Sequence, residues 1–241
     1  MPEAMPIQRL VEGHRRFVET FARAQSDYLR HLAEEGQSPD TLIISCSDSR
    51  VIPELITGAS PGHLFVVRNV ANMVPPYAAK NMTVGSAIEY ALTALGVQHI
   101  VVLGHYGCGG MAAVRSLFGP GSLSEKGPLP DTPLTQWLKY AEPSYQEAVA
   151  KGVLDSGEWL ETLVEENVLQ QLAHVIEYPD VREKAESGAV KLHAWTYSLD
   201  EALLYFFDAK TARFVPGDKA PEHHAAGELS VAEIEREDHV R

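Results

Sequence analysis

Ile100-Val101-Val102-Leu103-Gly104-His105-Tyr106-Gly107-Cys108-Gly109-Gly110 runs from an unbroken apolar stretch straight into a histidine, a cysteine and glycine. Apolar residues without polar alternation describe a strand covered on both faces, as in a parallel sheet. The glycines after Cys108 permit tight entry into a helix that runs through Leu117. A second stretch has the same construction, with Leu42-Ile43-Ile44 leading into Cys46-Ser47-Asp48-Ser49-Arg50. Both polar runs therefore sit where strands end.

Working outward, Thr41 to Ser45, Leu64 to Val67 and Ile100 to Leu103 are short buried strands, and Asn81 to Leu95 is helical by period. Val190 to Tyr197 returns to strand character, and Leu203 to Phe207 with Arg213 to Val215 suggests a terminal hairpin or edge strand. This alternation predicts an α/β fold, a mainly parallel central sheet flanked by helices with an antiparallel C-terminal edge. From Ile7 to Leu32 apolar positions recur at helical spacing, giving an N-terminal helical arm ended by Gly36-Gln37-Ser38-Pro39. Gly119 to Pro133 reads as a loop, Leu134 to Lys151 as one helix, and Trp159 to Ile176 as another that stops near Pro179. Beyond Pro216 the chain turns polar and is expected to be weakly ordered or partner-dependent, with Ser230-Val-Ala-Glu233 a capping box for a last short helix. The expected division is an arm over residues 1–35, an α/β domain carrying both polar runs over 36–215 and a polar tail over 216–241.

Cys46, His105 and Cys108 are soft donors that suit Zn²⁺, which takes thiolate at about 2.3 Å and imidazole at about 2.0 to 2.1 Å in tetrahedral geometry. Three ligands leave one position open, and the chain has only two cysteines, so the donor count favours a catalytic over a closed structural zinc. Strand alternation would carry Cys46, Asp48 and Arg50 to one side, where the Asp48 carboxylate can reach the fourth position. Arg50 is its natural partner, since a nearby guanidinium favours the ionised carboxylate. An ordinary salt bridge at a strand end is the plainer reading of the pair.

These runs, with 59 positions from Cys46 to His105, resemble the β-class carbonic anhydrases, zinc lyases that interconvert carbon dioxide and bicarbonate. The resemblance extends through Phe65-Val66-Val67-Arg68-Asn69-Val70-Ala71-Asn72 and Gly85-Ser86-Ala87-Ile88-Glu89-Tyr90. It implies zinc on Cys46, His105 and Cys108, attack of zinc-bound hydroxide on carbon dioxide, and an Asp48 that ligates the metal only in a closed form and is released when paired with Arg50. It also implies the plant-type, open-zinc subgroup: Gln37, Phe65 and Tyr90 match the substrate pocket, while Ile43 stands where bicarbonate-regulated members place a tryptophan. Gln37 and Tyr90 would come from a neighbouring subunit, so the resemblance implies a homodimer or a higher even-numbered homo-oligomer. Without the resemblance Phe65 and Tyr90 would be core aromatics and Gln37 a loop residue. Gly109 is expected to offer its N–H to bicarbonate at a helix N-terminus. Arg68 and Asn69 stay open between a polar contact and a catalytic role. His63, His99, His174 and His193 read as packed or exposed, and His223 and His224 as part of the tail.

With 33 acidic against 20 basic side chains, the formal charge of −13 opposes a nucleic-acid or anionic-membrane surface. No apolar run approaches the length of about 20 residues that spans a bilayer, and the polar N-terminus lacks the apolar core of a secretory signal, so a cytoplasmic protein is expected. One disulfide between the two cysteines is possible, but the neighbouring His105 and Asp48 favour a metal. A thiol oxidoreductase is disfavoured because neither cysteine has a Cys-x-x-Cys partner. Two rivals remain: a hydrolase of carbon disulfide or carbonyl sulfide on the same fold, and a non-catalytic zinc-stabilised module.

Overall fold

The computed structural model describes residues 6–153, 156–219 and 226–239, and the chain divides into two units, Met1–Ser38 and Pro39–Arg241. The first unit is helical. It contains α1 (Pro6–Phe17), a π turn over Val18–Ala22 and α2 (Ser26–Glu35), none of whose residues is buried. Gly36 ends α2 at φ 83°, a left-handed conformation that glycine adopts without strain.

The second unit is built on β1 (Thr41–Cys46), α3 (Pro53–Thr57), β2 (Leu64–Asn69), α4 (Met82–Tyr90), β3 (His99–His105) and α5 (Gly109–Phe118). There follow α6 (Leu123–Lys126), α7 (Pro133–Leu138), α8 (Glu142–Ala150), α9 (Trp159–Ile176), α10 (Pro179–Glu186), β4 (Lys191–Ser198), β5 (Leu203–Asp208), β6 (Arg213–Pro216), β7 (Glu228–Leu229) and α11 (Val231–His239). The sheet order is β2-β1-β3-β4-β5-β6, with β7 also on β4. Strands β2, β1, β3 and β4 are mutually parallel, and β5, β6 and β7 are antiparallel additions at one side. Leu42, Ile44, Ile100 and Val102 face a core closed by Val168, Leu172 and Val175 of α9, while Ile43, Val101 and Leu103 point to the other face. Burial on both faces explains why these strands show no polar alternation.

Four local expectations are corrected. The helix expected from Leu134 to Lys151 is broken by a 3₁₀ turn at Lys139–Ala141, because Pro143 enters at the first turn of α8 and has no N–H to continue α7. The loop from Gly119 to Pro133 contains the one-turn α6. Pro179, read as a stop, also starts α10, the position where a missing N–H costs nothing. In the C-terminal segment expected to be weakly ordered, Leu229, Val231 and Ile234 are buried in the main core. Its capping box forms, with Ser230 N–H donating to Glu233 Oε2 at 2.8 Å and Glu233 N–H donating to Ser230 Oγ at 3.3 Å. His223 and His224 lie outside the described residues. Among the described residues no helix is long and apolar enough to cross a membrane.

Candidate active site

Adjacent parallel strands place the donors. β1 ends at Cys46 and its neighbour β3 ends at His105, in a register that pairs Ser45 with Leu103. Gly107, at φ 69°, turns the chain back so that Cys108 caps α5. The bond-forming atoms of Cys46, His105 and Cys108 all lie within 4.8 Å of one another, and all three residues are buried. The two sulfurs are 4.0 Å apart and the cysteines are free. Two sulfurs at about 2.3 Å from one tetrahedral ion would lie about 3.8 Å apart, so the spacing fits a shared metal. His105 Nδ1–H donates to Tyr106 O at 3.1 Å, leaving the lone pair on Nε2, and that buried Nε2 has no hydrogen-bond partner. A buried polar atom without a partner is costly, and a metal at this point would satisfy it. The hydrogen bond between the sulfurs pulls the Cys46 thiol down and, with burial, pushes Cys108 up. Among the described residues no other group of three such donors converges in this way.

Asp48 lies beyond the strand, and the expected alternation is corrected: β1 ends at Cys46, and Asp48 accepts from Val51 N–H at 3.0 Å in a turn. That turn folds Arg50 back onto its neighbour. Nε donates to Oδ1 at 2.9 Å, Nη2 to Oδ2 at 2.7 Å, and the Arg50 N–H to Oδ1 at 3.0 Å. These bonds to Arg50 hold the Asp48 carboxyl well below the usual carboxylate range. Asp48 Oδ2 is 3.8 Å from His105 Nε2, so the carboxylate borders the donors while remaining engaged by the guanidinium. Arg50 Nη2 also donates to Gly107 O at 3.3 Å, tying the two polar runs together.

A profile described as carbonic anhydrase matches residues 41–204 of the chain. The carbonic anhydrase of Synechocystis sp. is 39% identical over 210 residues, covering 87% of this chain and 74% of that protein. That of Pseudomonas aeruginosa is 36% identical over 218 residues, covering 90% and 95%. The solved structure of the β-carbonic anhydrase CcaA superposes with a TM-score of 0.80 at 37% identity, covering 92% of this chain and 94% of that one. The chain belongs to the β-class carbonic anhydrases. It is thus a carbonic anhydrase with the α/β fold expected from its strands, and the Cys46, His105 and Cys108 cluster is where this family member can bind a metal.

The remaining expected residues of this carbonic anhydrase fall in different places. Gly109 opens α5 and is exposed, and beyond its chain neighbours and its own helix backbone no atom lies within 4 Å of the position a Cβ would take. Phe65 and Tyr90 pack together, ring centroids 5.9 Å apart, but Phe65 pairs with Leu42 at the opposite end of β1 from Cys46. Four strand positions separate them, roughly 13 Å. Gln37 is exposed in the first unit. Ile43 is a buried strand residue. Arg68 donates from Nε to Cys46 O at 3.1 Å and from Nη2 to Asp48 O at 2.7 Å, bracing the whole run, and Asn69 pairs with the Met73 backbone through 2.7 and 2.8 Å bonds. His174 Nδ1–H donates to Val74 O at 2.7 Å, and His193 is buried against His99.

One supporting layer went unread in the sequence. Ala71 and Asn72 hold φ of 62° and 47°, a strained turn for residues with a Cβ. It is gripped by α9, where Asn167 Nδ2 donates to Ala71 O at 3.1 Å and Gln171 Oε1 accepts from Val74 N–H at 2.7 Å. The readable signal was Asn167, Gln171 and His174 recurring at helical spacing on the side of α9 that should be apolar.

Proposed function

We propose that the chain catalyses the reversible hydration of carbon dioxide to bicarbonate and a proton with Zn²⁺ held by Cys46, His105 and Cys108. The observation that carries this is the buried, unpartnered His105 Nε2 converging with two cysteine sulfurs beside an Asp48 already occupied by Arg50. Zinc in such a set acts as a Lewis acid that acidifies a water and so supplies a nucleophile near neutral pH.

The chain's own groups do the rest. Arg50 keeps Asp48 ionised and engaged beside the donors, so that Asp48 remains an acceptor able to orient the hydrogen of a reacting water or of bicarbonate. Arg68 fixes the carbonyls of Cys46 and Asp48 and with them the distance between ligand and carboxylate. The N-terminus of α5 at Gly109 favours the anionic product. Gln37, Phe65 and Tyr90 complete the substrate wall, with Gln37 and Tyr90 contributed across an interface by a second copy. Support for this comes from Tyr90, which packs on Phe65 at the end of the sheet remote from Cys46, and from the tetrameric β-carbonic anhydrases of Sordaria macrospora, which are 26% identical over 82% of this chain at a TM-score of 0.71. The catalytic region is assigned to residues 36–215 and the enzyme to the cytoplasm, as an open-zinc, plant-type member.

Stopped-flow assays on one preparation test the proposal with carbon dioxide and carbonyl sulfide in parallel. Hydration of carbon dioxide by the wild type and its loss in Asp48→Ala are expected. Turnover of carbonyl sulfide alone would assign the site to the other substrate.

A further inference from the structure

The weak point of the donor set is His105. An imidazole turns about a broad χ2, and the hydrogen bond that orients this buried ring runs from Nδ1–H to Tyr106 O at 3.1 Å, with Nε2 unpartnered. That carbonyl belongs to the peptide joining Tyr106 to Gly107. Glycine at φ 69° leaves this peptide with little steric restraint on its C-terminal side. Arg50 holds the following carbonyl, Gly107 O, and Tyr106 anchors the peptide from its N-terminal side.

Tyr106 is held at four points. Its N–H donates to Tyr197 O at 3.0 Å. Its hydroxyl donates to Glu165 Oε1 at 2.8 Å and accepts from Thr196 Oγ1 at 3.2 Å, and its ring meets Tyr205 edge-on at 5.6 Å. The anchors come from α9 and from β4 and β5, the two strands next beyond β3, so the ring is clamped between helix and sheet. A largely buried carboxylate such as Glu165 is costly unless its hydrogen bonds serve the fold. Burial pushes its pKa up, and the tyrosine hydroxyl works against that shift.

We propose that Tyr106, anchored through its hydroxyl by Glu165 and Thr196, is a positioning residue for His105: it fixes the carbonyl that holds the imidazole with Nε2 aimed between the Cys46 and Cys108 sulfurs. The inference rests on the zinc reading of that trio. Supporting residues of this kind change metal affinity by about ten- to hundredfold when removed.

The test is zinc affinity of the full chain by chelator competition, beside the visible spectrum of the Co²⁺-substituted protein and thermal unfolding of the metal-free form. Tyr106→Phe, which keeps the ring, is expected to weaken zinc binding by about tenfold or more and to alter the Co²⁺ bands. Glu165→Gln, whose amide oxygen still accepts from the hydroxyl, is expected to stay within about threefold of wild type, whereas Glu165→Ala should match Tyr106→Phe. Val181→Ala, a core truncation in α10, should lower the unfolding temperature of the metal-free form and leave zinc affinity unchanged. Tyr106→Phe that binds zinc as tightly as wild type with the same Co²⁺ spectrum overturns the inference, as does an equal loss of affinity in Val181→Ala. Should Tyr106→Phe not fold, Glu165→Ala and Thr196→Val must each weaken zinc binding, or the inference fails. Wild-type protein that takes up no zinc would overturn the zinc reading itself, whereas a zinc-binding wild type with an indifferent Tyr106 overturns this inference alone.

Discussion

Asp48 and Arg50 are two residues apart, and only a turn lets a guanidinium fork onto both oxygens of a carboxylate so close in the chain. The sequence made the pair visible, but it suggested strand alternation, whereas the turn after Cys46 and the Arg68 bonds to its carbonyls bring the pair together. Those carbonyl bonds leave no pattern in a sequence, because any residue supplies the acceptor. Asp48→Ala is expected to retain zinc and to lose carbon dioxide hydration by on the order of a hundredfold or more, measured by stopped flow with metal analysis on the same sample. In Arg50→Ala the carboxylate is released toward the donors, so zinc should stay bound while hydration falls. The Asp48 carboxyl is held below its ordinary range, so its pairing contributes stability above about pH 4 and loses it on acidification. Arg50 is exposed, so solvent screens the pair and keeps that contribution small.

At the scale of elements, the strands were legible because two-sided burial writes itself as uninterrupted apolar residues, and α9 because its period is long and regular. The α7–α8 break and α10 were not, since a proline both ends one helix and begins the next, and period alone does not separate the two uses. The turn at Ala71 was hidden for a different reason: its left-handed backbone is imposed by α9 and not by a glycine. That turn also explains Gly110, where a Cβ would come within 2.8 Å of the Ala71 Cβ. Gly110→Ala must push α5 away from the turn, and the expected cost is about 1 to 3 kcal/mol in urea unfolding, accompanied by weaker zinc binding because Cys108 caps that helix.

For the molecule as a whole, pH acts at both ends of the parallel strands. At the end remote from the donors, His193 Nδ1–H donates to Ala226 O and its Nε2 faces His99 Nδ1 at 3.0 Å. Burial pulls the His193 pKa down to about 4. Against an unfolded value of about 6.5, the unfolded chain takes up a proton that the folded protein refuses, so stability falls as pH drops from about 6.5 toward 4, by up to about 3 kcal/mol. His193→Gln should lose less stability than wild type between pH 7 and pH 4.5 in denaturant titrations. At the donor end, two thiolates and a neutral imidazole would cancel the charge of a bound Zn²⁺, so the acidifying pull on a water would be weaker than in a set of three imidazoles. Hydration is expected to climb on the alkaline side of neutrality, and a profile already flat from slightly acidic pH upward would argue against the charge assignment.

Cys46, His105 and Cys108 are proposed to hold a catalytic zinc for carbon dioxide hydration. The most direct test is stopped-flow hydration across pH by protein whose metal content is determined on the same sample. One zinc per chain, with hydration that disappears on metal removal and returns on reloading, is the expected result. A chain that holds zinc and hydrates no carbon dioxide at any pH would contradict it.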